Sequence, residues 1–151
     1  MLYISVMKIN RSNCPLASAL DIVGDKWSLL VIRDLFLGKK TFTEFLKSPE
    51  KIATNILANR LETLSKKGVL KFTKLPNDQK TKIYYLTDKG IDMYPIIYEM
   101  INWSSRNINM EYGHTGKVLI NHFENTQQEI VIADAQSAYR SERHDILAHS
   151  S

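Results

Sequence analysis

Between Ile52 and Leu86 the spacing of apolar residues changes once, from a helical period to an alternating one, and that change restricts the folds open to the chain. In IATNILANRLETLSKKG the residues Ile56, Leu57, Leu61 and Leu64 recur near every 3.6 positions, which puts them on one side of a helix. Lys66 and Lys67 sit at the negative end of its dipole, and Gly68 supplies the stop. From Val69 the period is two, with Leu70, Phe72 and, least securely, Lys74 on one face and Lys71 and Thr73 on the other. The turn sequence PNDQ and a second run, KIYYL, complete a β-hairpin with basic flanks.

Three helices are predicted upstream. Pro15 suits a first turn, where its missing N–H costs nothing, and Leu16, Ala19, Leu20 and Val23 then share a face before Gly24. Asp25 reads as the N-cap of KWSLLVIRDLFLG, a densely apolar helix with Trp27, Leu30, Val31, Asp34 and Leu35 in phase and Gly38 as its stop. Thr41 and Glu44 form a T-x-x-E capping box at the head of a short helix carrying Phe42, Phe45 and Leu46. Downstream, Thr87 or Asp88 caps a fifth helix whose stripe of Met93, Ile96, Ile97, Met100, Ile101 and Ser104 calls for a partner helix. Past Gly113, Val118, Leu119, His122 and Phe123 fit a helix face; Ile130 to Ala138 fits a helix or, in EIVIA, a strand. The last dozen residues read as frayed and polar.

Charge is concentrated in the segment the period change singles out. Residues 39–89 hold 12 Lys/Arg against 5 acids, whereas the chain as a whole is only +4. A polyanion would meet the middle of the chain. The order helix, helix, short helix, long helix, basic hairpin is that of a winged helix-turn-helix, in which a helix enters the DNA major groove. The residues that would enter are short and polar: Thr54, Asn55, Ala58 and Asn59. Asn can bond adenine through two hydrogen bonds, and Thr can bond a base or pack against the thymine methyl. By themselves they fit a helix cap and solvated surface equally well; the charge decides for DNA. Lys39, Lys40, Lys51, Lys74, Lys80 and Lys82 lie where phosphates would come, and six such contacts imply a log-log salt slope of about −5. Thr43 is placed with them, on the short helix. Arg60 can reach a phosphate or hold Glu62 or an acid from another helix, and we place it with the phosphate contacts.

Other chemistries find little support. With a single cysteine, Cys14, there is no internal disulfide and no cysteine-based zinc cluster. His114 and His122 are eight apart and His144 and His149 five apart, neither being the i, i+4 spacing of two metal ligands on one helix. We expect no metal, no cofactor and no enzyme. A nuclease would need grouped carboxylates beside the basic face, where only Glu44, Glu50, Glu62, Asp78 and Asp88 stand. A winged-helix protein-interaction module without specific DNA binding is the alternative, and the clustered charge argues against it. No apolar run approaches the roughly 20 residues of a membrane span, and MLYISVMKIN lacks the form of a signal peptide, so a cytoplasmic, nucleoid-associated protein is expected, with Met7 a candidate start.

Several motifs in order resemble the HxlR family of winged-helix regulators, relatives of the MarR group: CPL at Cys14, GDKWSLL from Gly24, FTEF from Phe42, I-x4-L-x2-R-L-x2-L-x3-G from Ile52 to Gly68, and YYLTDKG from Tyr84. The resemblance spans Cys14 to Trp103. It implies a homodimer held by terminal helices, presenting a recognition helix at Ala53 to Lys67 and a wing at Leu70 to Leu86 to a palindromic operator. Two positions depart from the family: Thr41 where an Arg is usual, and Gln79, Lys80 and Thr81 where the wing usually carries a Pro-Pro-Arg-like run. Lysine keeps the charge without arginine's planar fork. The resemblance also makes Cys14 a candidate sensor of oxidants, at a helix N-terminus where negative charge is favoured; a small buried apolar role is the other reading.

The expected protein is thus mainly α with a small β-hairpin wing, a winged helix-turn-helix with helical dimerisation extensions. We divide it into an N-terminal extension (1–13), the winged helix-turn-helix domain with its dimerisation helix (14–110), and a partly helical C-terminal extension (111–151). Dimerisation is assigned to Met93, Ile97, Met100, Ile101 and Trp103, aided by the N-terminal segment. The expected partners are double-stranded DNA, a second copy of the chain, and a small-molecule or oxidant effector, with no membrane. The expected output is repression.

Overall fold

A computed structural model describes residues 11–150. The candidate start at Met7, and any dimer contact by the first ten residues, lie outside the described residues. Helices α1 (Pro15–Val23), α2 (Ser28–Phe36), α3 (Phe42–Leu46) and α4 (Thr54–Lys66) lead into strands β1 (Leu70–Leu75) and β2 (Asp78–Leu86). Four more helices follow: α5 (Asp88–Ile91), α6 (Tyr94–Asn107), α7 (His114–Asn125) and α8 (Gln128–Ala148). The chain is mainly helical with one antiparallel hairpin, as the period change predicts.

Local signals set the element ends. Asp25 Oδ2 accepts hydrogen bonds from the backbone N–H of Trp27 and Ser28, both 2.9 Å, so it caps the turn that enters α2 although the regular helix starts at Ser28. Thr41 Oγ1 accepts from Glu44 N at 3.3 Å and donates to the Glu44 carboxylate at 2.8 Å, which closes the capping box through side chains. Gly68, at φ +74°, lets Val69 N turn back to Leu64 O and ends α4 in the left-handed conformation that glycine adopts without strain. In the hairpin Leu70 pairs with Leu86 and Phe72 with Tyr84, and an irregularity after Thr73 shortens the register before Leu75 meets Asp78. Tyr84 N also donates to Lys40 O at 2.7 Å, which ties the approach to α3 to the wing.

The core gathers Val31, Ile32 and Leu35 from α2, Phe45 from α3, Leu57, Leu61 and Leu64 from α4, and Leu70 and Leu86 from the hairpin. Of the face that Leu16, Ala19, Leu20 and Val23 share, Leu16 and Leu20 are 66% and 48% exposed, and of α1 only Val23 is buried. The stripe of α6 is also divided. Ile97 is buried in the core, with Met93 and Ile101 partly buried and packed against it, so these three contribute to the packing of their own chain. Ile96, Met100 and Trp103, spaced i, i+4, i+7, remain exposed.

Residues after Gly113 depart most from expectation. EIVIA is helical within α8, and the helix continues to Ala148, through most of the stretch expected to fray. Tyr98, Phe123 and Val131 form a second buried cluster joining α6, α7 and α8. Further along α8, Tyr139 is 3% exposed, packs edge-on against Phe36, and its hydroxyl accepts from Leu86 N at 2.8 Å. Arg143 donates to Leu86 O at 3.2 Å and pairs with Asp88 at 2.9 Å, while Gln136 donates to Ile91 O. The helix therefore braces the base of β2 and the turn into α5.

This brace yields a prediction. Burial pushes the Tyr139 hydroxyl from 10.0 up to about 12, and Tyr84 and Tyr94 are shifted the same way by burial. A raised pKa means the stability contributed is intact below about pH 10, the unfolded value, and is lost as pH rises towards 12. Tyr139→Phe leaves Leu86 N without its acceptor and should cost about 1–3 kcal/mol at neutral pH by chemical denaturation. It should also reduce the alkaline loss of stability; a variant with wild-type stability and an unchanged alkaline profile would contradict the brace.

Candidate nucleic-acid interface

The turn that leads into α4 is held by a largely buried polar cluster. Asp34 of α2, 3% exposed, accepts from Ser48 Oγ in the turn after α3, and from Arg33 Nε and Nη2 at 3.1 and 2.8 Å. Arg33 also grips Glu50 through two hydrogen bonds of 2.9 and 2.8 Å. That fork holds the Glu50 carboxyl below its ordinary value, and the paired acids raise Arg33. The turn then passes through Lys51, whose φ of +57° is a left-handed conformation costly for a residue with a Cβ. The turn is thereby pinned on α2 at one end and feeds α4 at the other.

On α4, Thr54, Asn55 and Asn59 are exposed. Ala53, not Thr54, occupies the N-cap and makes no side-chain cap bond, so Thr54 is not consumed as a cap. Asn59 Oδ1 accepts from Arg60, which leaves its amide N–H groups to donate. Arg60 pairs with Asp25 at 3.2 Å, with only 23% of its side chain exposed. Burial alone raises the Asp25 carboxyl, but hydrogen bonds from Ser28 and Trp27 and the charge of Arg60 outweigh it and hold the group low. Arg60 thus ties α4 to the entry of α2, and any phosphate would compete with Asp25 for it. Of the acid partners the sequence allows, it holds the one from another helix, Asp25 at the entry of α2, while Glu62 pairs with Lys66.

The lysines divide in the same way. Lys39 Nζ donates to Ser48 Oγ at 2.5 Å and lies 3.8 Å from Asp34, so it belongs to the buried cluster. Lys40 faces Glu142 of α8 at 3.5 Å. Lys51, Lys80 and Lys82 are exposed, and Lys74 is half-buried. Thr43 is exposed on α3, with its hydroxyl 3.4 Å from that of Thr41. Lys82 Nζ lies over the ring of Phe72, 4.6 Å from its centre. Phe72, on the same side as Leu70 in the sequence, is 44% exposed although its cross-strand partner Tyr84 is buried. Cys14 is exposed at the N-cap of α1. Among the described residues there is no cluster of His, Cys, Asp and Glu suited to a metal ion, and no helix is long and apolar enough to cross a membrane.

A helix-turn-helix with a two-stranded wing is a common scaffold, and sequence comparison decides which one this is. The HxlR-like helix-turn-helix family model matches residues 22–112, from the end of α1 past the end of α6. The chain belongs to the HxlR-like family. HxlR-like proteins are DNA-binding helix-turn-helix transcription regulators, and relatives bear such names. YodB of Bacillus subtilis, an HTH-type transcriptional regulator, is 32% identical over 99 residues, which is 65% of this chain and 88% of YodB. YdeP of the same organism, an uncharacterized HTH-type regulator, is 33% identical over 93 residues, 62% of this chain and 73% of YdeP. The crystal structure of PA1607 superposes with a TM-score of 0.62 at 36% identity over 70% of this chain and 73% of its own. YodB in its reduced form superposes at 0.54 over 64% of this chain and 95% of its own. In this HxlR-like chain α7 and α8 lie beyond the family match.

The sorting of cations has a measurable consequence. With Lys39, Lys40 and Arg60 engaged within the protein, four lysines per chain are left to meet phosphate, and the salt slope should be about −3.6 per chain instead of about −5. Arg60→Ala should lower stability and leave the slope unchanged in electrophoretic titrations at several salt concentrations. A slope that falls by about one unit in that variant would return Arg60 to the phosphate contacts.

Proposed function

We propose that the chain is a homodimeric repressor that binds a palindromic double-stranded operator, with α4 in the major groove and the β1–β2 wing against the flanking backbone. The supporting observation is the exposure, on the first turns of α4, of the short polar side chains Thr54, Asn55 and Asn59 beside the exposed cations Lys51, Lys80 and Lys82. Asn and Thr supply the donors, acceptor and methyl that distinguish bases, whereas lysines attract phosphate without regard to sequence. Dimerisation falls to Ile96, Met100 and Trp103 of α6 together with Leu16 and Leu20 of α1, which are large, apolar and exposed. Such a dimer presents two α4 helices one DNA turn apart, about 34 Å, and represses by occupying the site polymerase needs.

Oxidants act through Cys14 in this proposal. Its thiol is exposed and adjoins the helix that carries Leu16 and Leu20, so modification there alters the dimer. The relative YodB has been crystallised in diamide-treated and quinone-bound forms. With a single cysteine per chain, diamide would join two subunits, each thiol giving one electron and one proton to the reagent.

Selection of bound sequences from random duplex DNA, with reduced and diamide-treated protein, tests these points together. The expected result is a palindrome with half-sites about 10 base pairs apart for the reduced dimer, and loss of enrichment on oxidation that Cys14→Ser prevents. Failure to enrich any palindrome would count against the operator-reading function; oxidant sensitivity that persists in Cys14→Ser would remove the thiol from it. Trp103→Glu should shift the protein towards monomer in sedimentation equilibrium.

A further inference from the structure

Residues 113–151, beyond the family match, hold five acids against three Lys/Arg, the reverse of the balance in the DNA-facing segment. One of those acids, Glu142 of α8, meets a cation that the sequence assigns to phosphate. Its Oε1 stands 3.5 Å from Lys40 Nζ, with 36% and 40% of the two side chains exposed. Glu142 is placed by its neighbours on the helix: Tyr139, one turn earlier, accepts from Leu86 N at 2.8 Å, and Arg143, the next residue, donates to Leu86 O at 3.2 Å. Lys40 is fixed at its backbone, where its carbonyl accepts from Tyr84 N at 2.7 Å, two residues before α3 begins. The first helix of a helix-turn-helix crosses the DNA backbone, so a phosphate would arrive beside this lysine. Carboxylate and phosphate oxygens both accept from an ammonium group, and either can occupy the place.

We infer that Glu142 is an internal competitor for DNA phosphate: it holds Lys40 until a duplex displaces it, and α8 thereby lowers the affinity of the helix-turn-helix for DNA. The inference rests on the DNA-binding function proposed above. The other engaged cations differ in kind. Lys39 donates to Ser48 within the cluster around buried Asp34, and Arg60, with 23% of its side chain exposed, joins α4 to the entry of α2. Those pairs hold elements together, whereas the Lys40 and Glu142 side chains meet at the surface and can part while Tyr139 and Arg143 keep α8 in place. A half-exposed pair of this kind has little net worth in water, so exchanging its carboxylate for a phosphate costs little.

Fluorescence anisotropy with a random-sequence duplex at several salt concentrations, comparing Glu142→Gln with the wild-type chain, tests the competition. The freed lysine should steepen the salt slope by about 0.9 per chain, from about −3.6 to about −4.5, and tighten binding by up to about eightfold at about 0.1 M salt. In a Lys40→Gln background the same Glu142→Gln change should leave the slope where it was. Asp134→Asn, about two turns earlier on α8, removes a charge from the same helix and should not steepen it. Denaturation midpoints of the variants should match the wild type, which separates a change in DNA affinity from a change in folding. Wild-type binding together with an unchanged slope in Glu142→Gln would overturn the competition alone, as would a gain that persists without Lys40 or is reproduced by Asp134→Asn. Absence of salt-dependent duplex binding by both chains would overturn the DNA-binding function, and the competition with it.

Discussion

The carboxylate of Asp34 is removed from water in the middle of α2, and the geometry of the DNA-facing side follows from how its charge is met. Arg33 and Ser48 bond to it, Lys39 stands within 4 Å, and Arg33 extends the cluster to Glu50. A charge in that position is tolerated only when every neighbour is in place, since removing one partner of a buried pair leaves an uncompensated ion. The cluster therefore joins α2 to the turn that aims α4. Arg60 with Asp25 makes a second tie between the same two helices, so α4 is fixed near its start and along its length. Base-reading side chains need such rigid support, because hydrogen bonds to bases discriminate only when donor and acceptor positions are set in advance.

The wing is secured from the other side. Its base is a two-stranded hairpin, which is marginal alone, and α8 supplies the missing support through Tyr139 and Arg143 on Leu86. α5 also packs closely on the hairpin base: a Cβ at Gly90 would lie 2.2 Å from Val69 O. Toward its tip the hairpin leaves the core, and Phe72, Lys80 and Lys82 become surface. Rigidity at the base and exposure at the tip are what a wing laid along a duplex requires. The helices that provide the support lie beyond the part of the chain matched to the HxlR-like family.

What the sequence made legible was local. Thr41, Asp25, Thr87 and Gly68 mark element ends because each acts on backbone groups within a few positions of itself. The change of period at Gly68 marked the hairpin for the same reason. Pairings over longer separations left no trace in the order of residues. Lys39 with Ser48 and Lys40 with Glu142 could not be told from free cations, whereas an acid partner for Arg60 was one of two readings open in the sequence. The stripe on α6 was real but too wide for one purpose, since the helix lies between two hydrophobic clusters and also keeps Met100 and Trp103 outside. EIVIA carries β-branched residues that suit a strand, yet Val131 packs as part of a 21-residue helix, where tertiary contacts outweigh propensity.

The account depends on a division of labour in which α4 reads bases and the exposed lysines supply sequence-independent attraction. Affinities of Asn55→Ala and Lys80→Ala, measured side by side for the selected operator and for random duplex, test that division directly. The account predicts that Asn55→Ala weakens operator binding by about 1–3 kcal/mol with little effect on random DNA, and that Lys80→Ala weakens both alike. Equal losses on both duplexes for Asn55→Ala would contradict it.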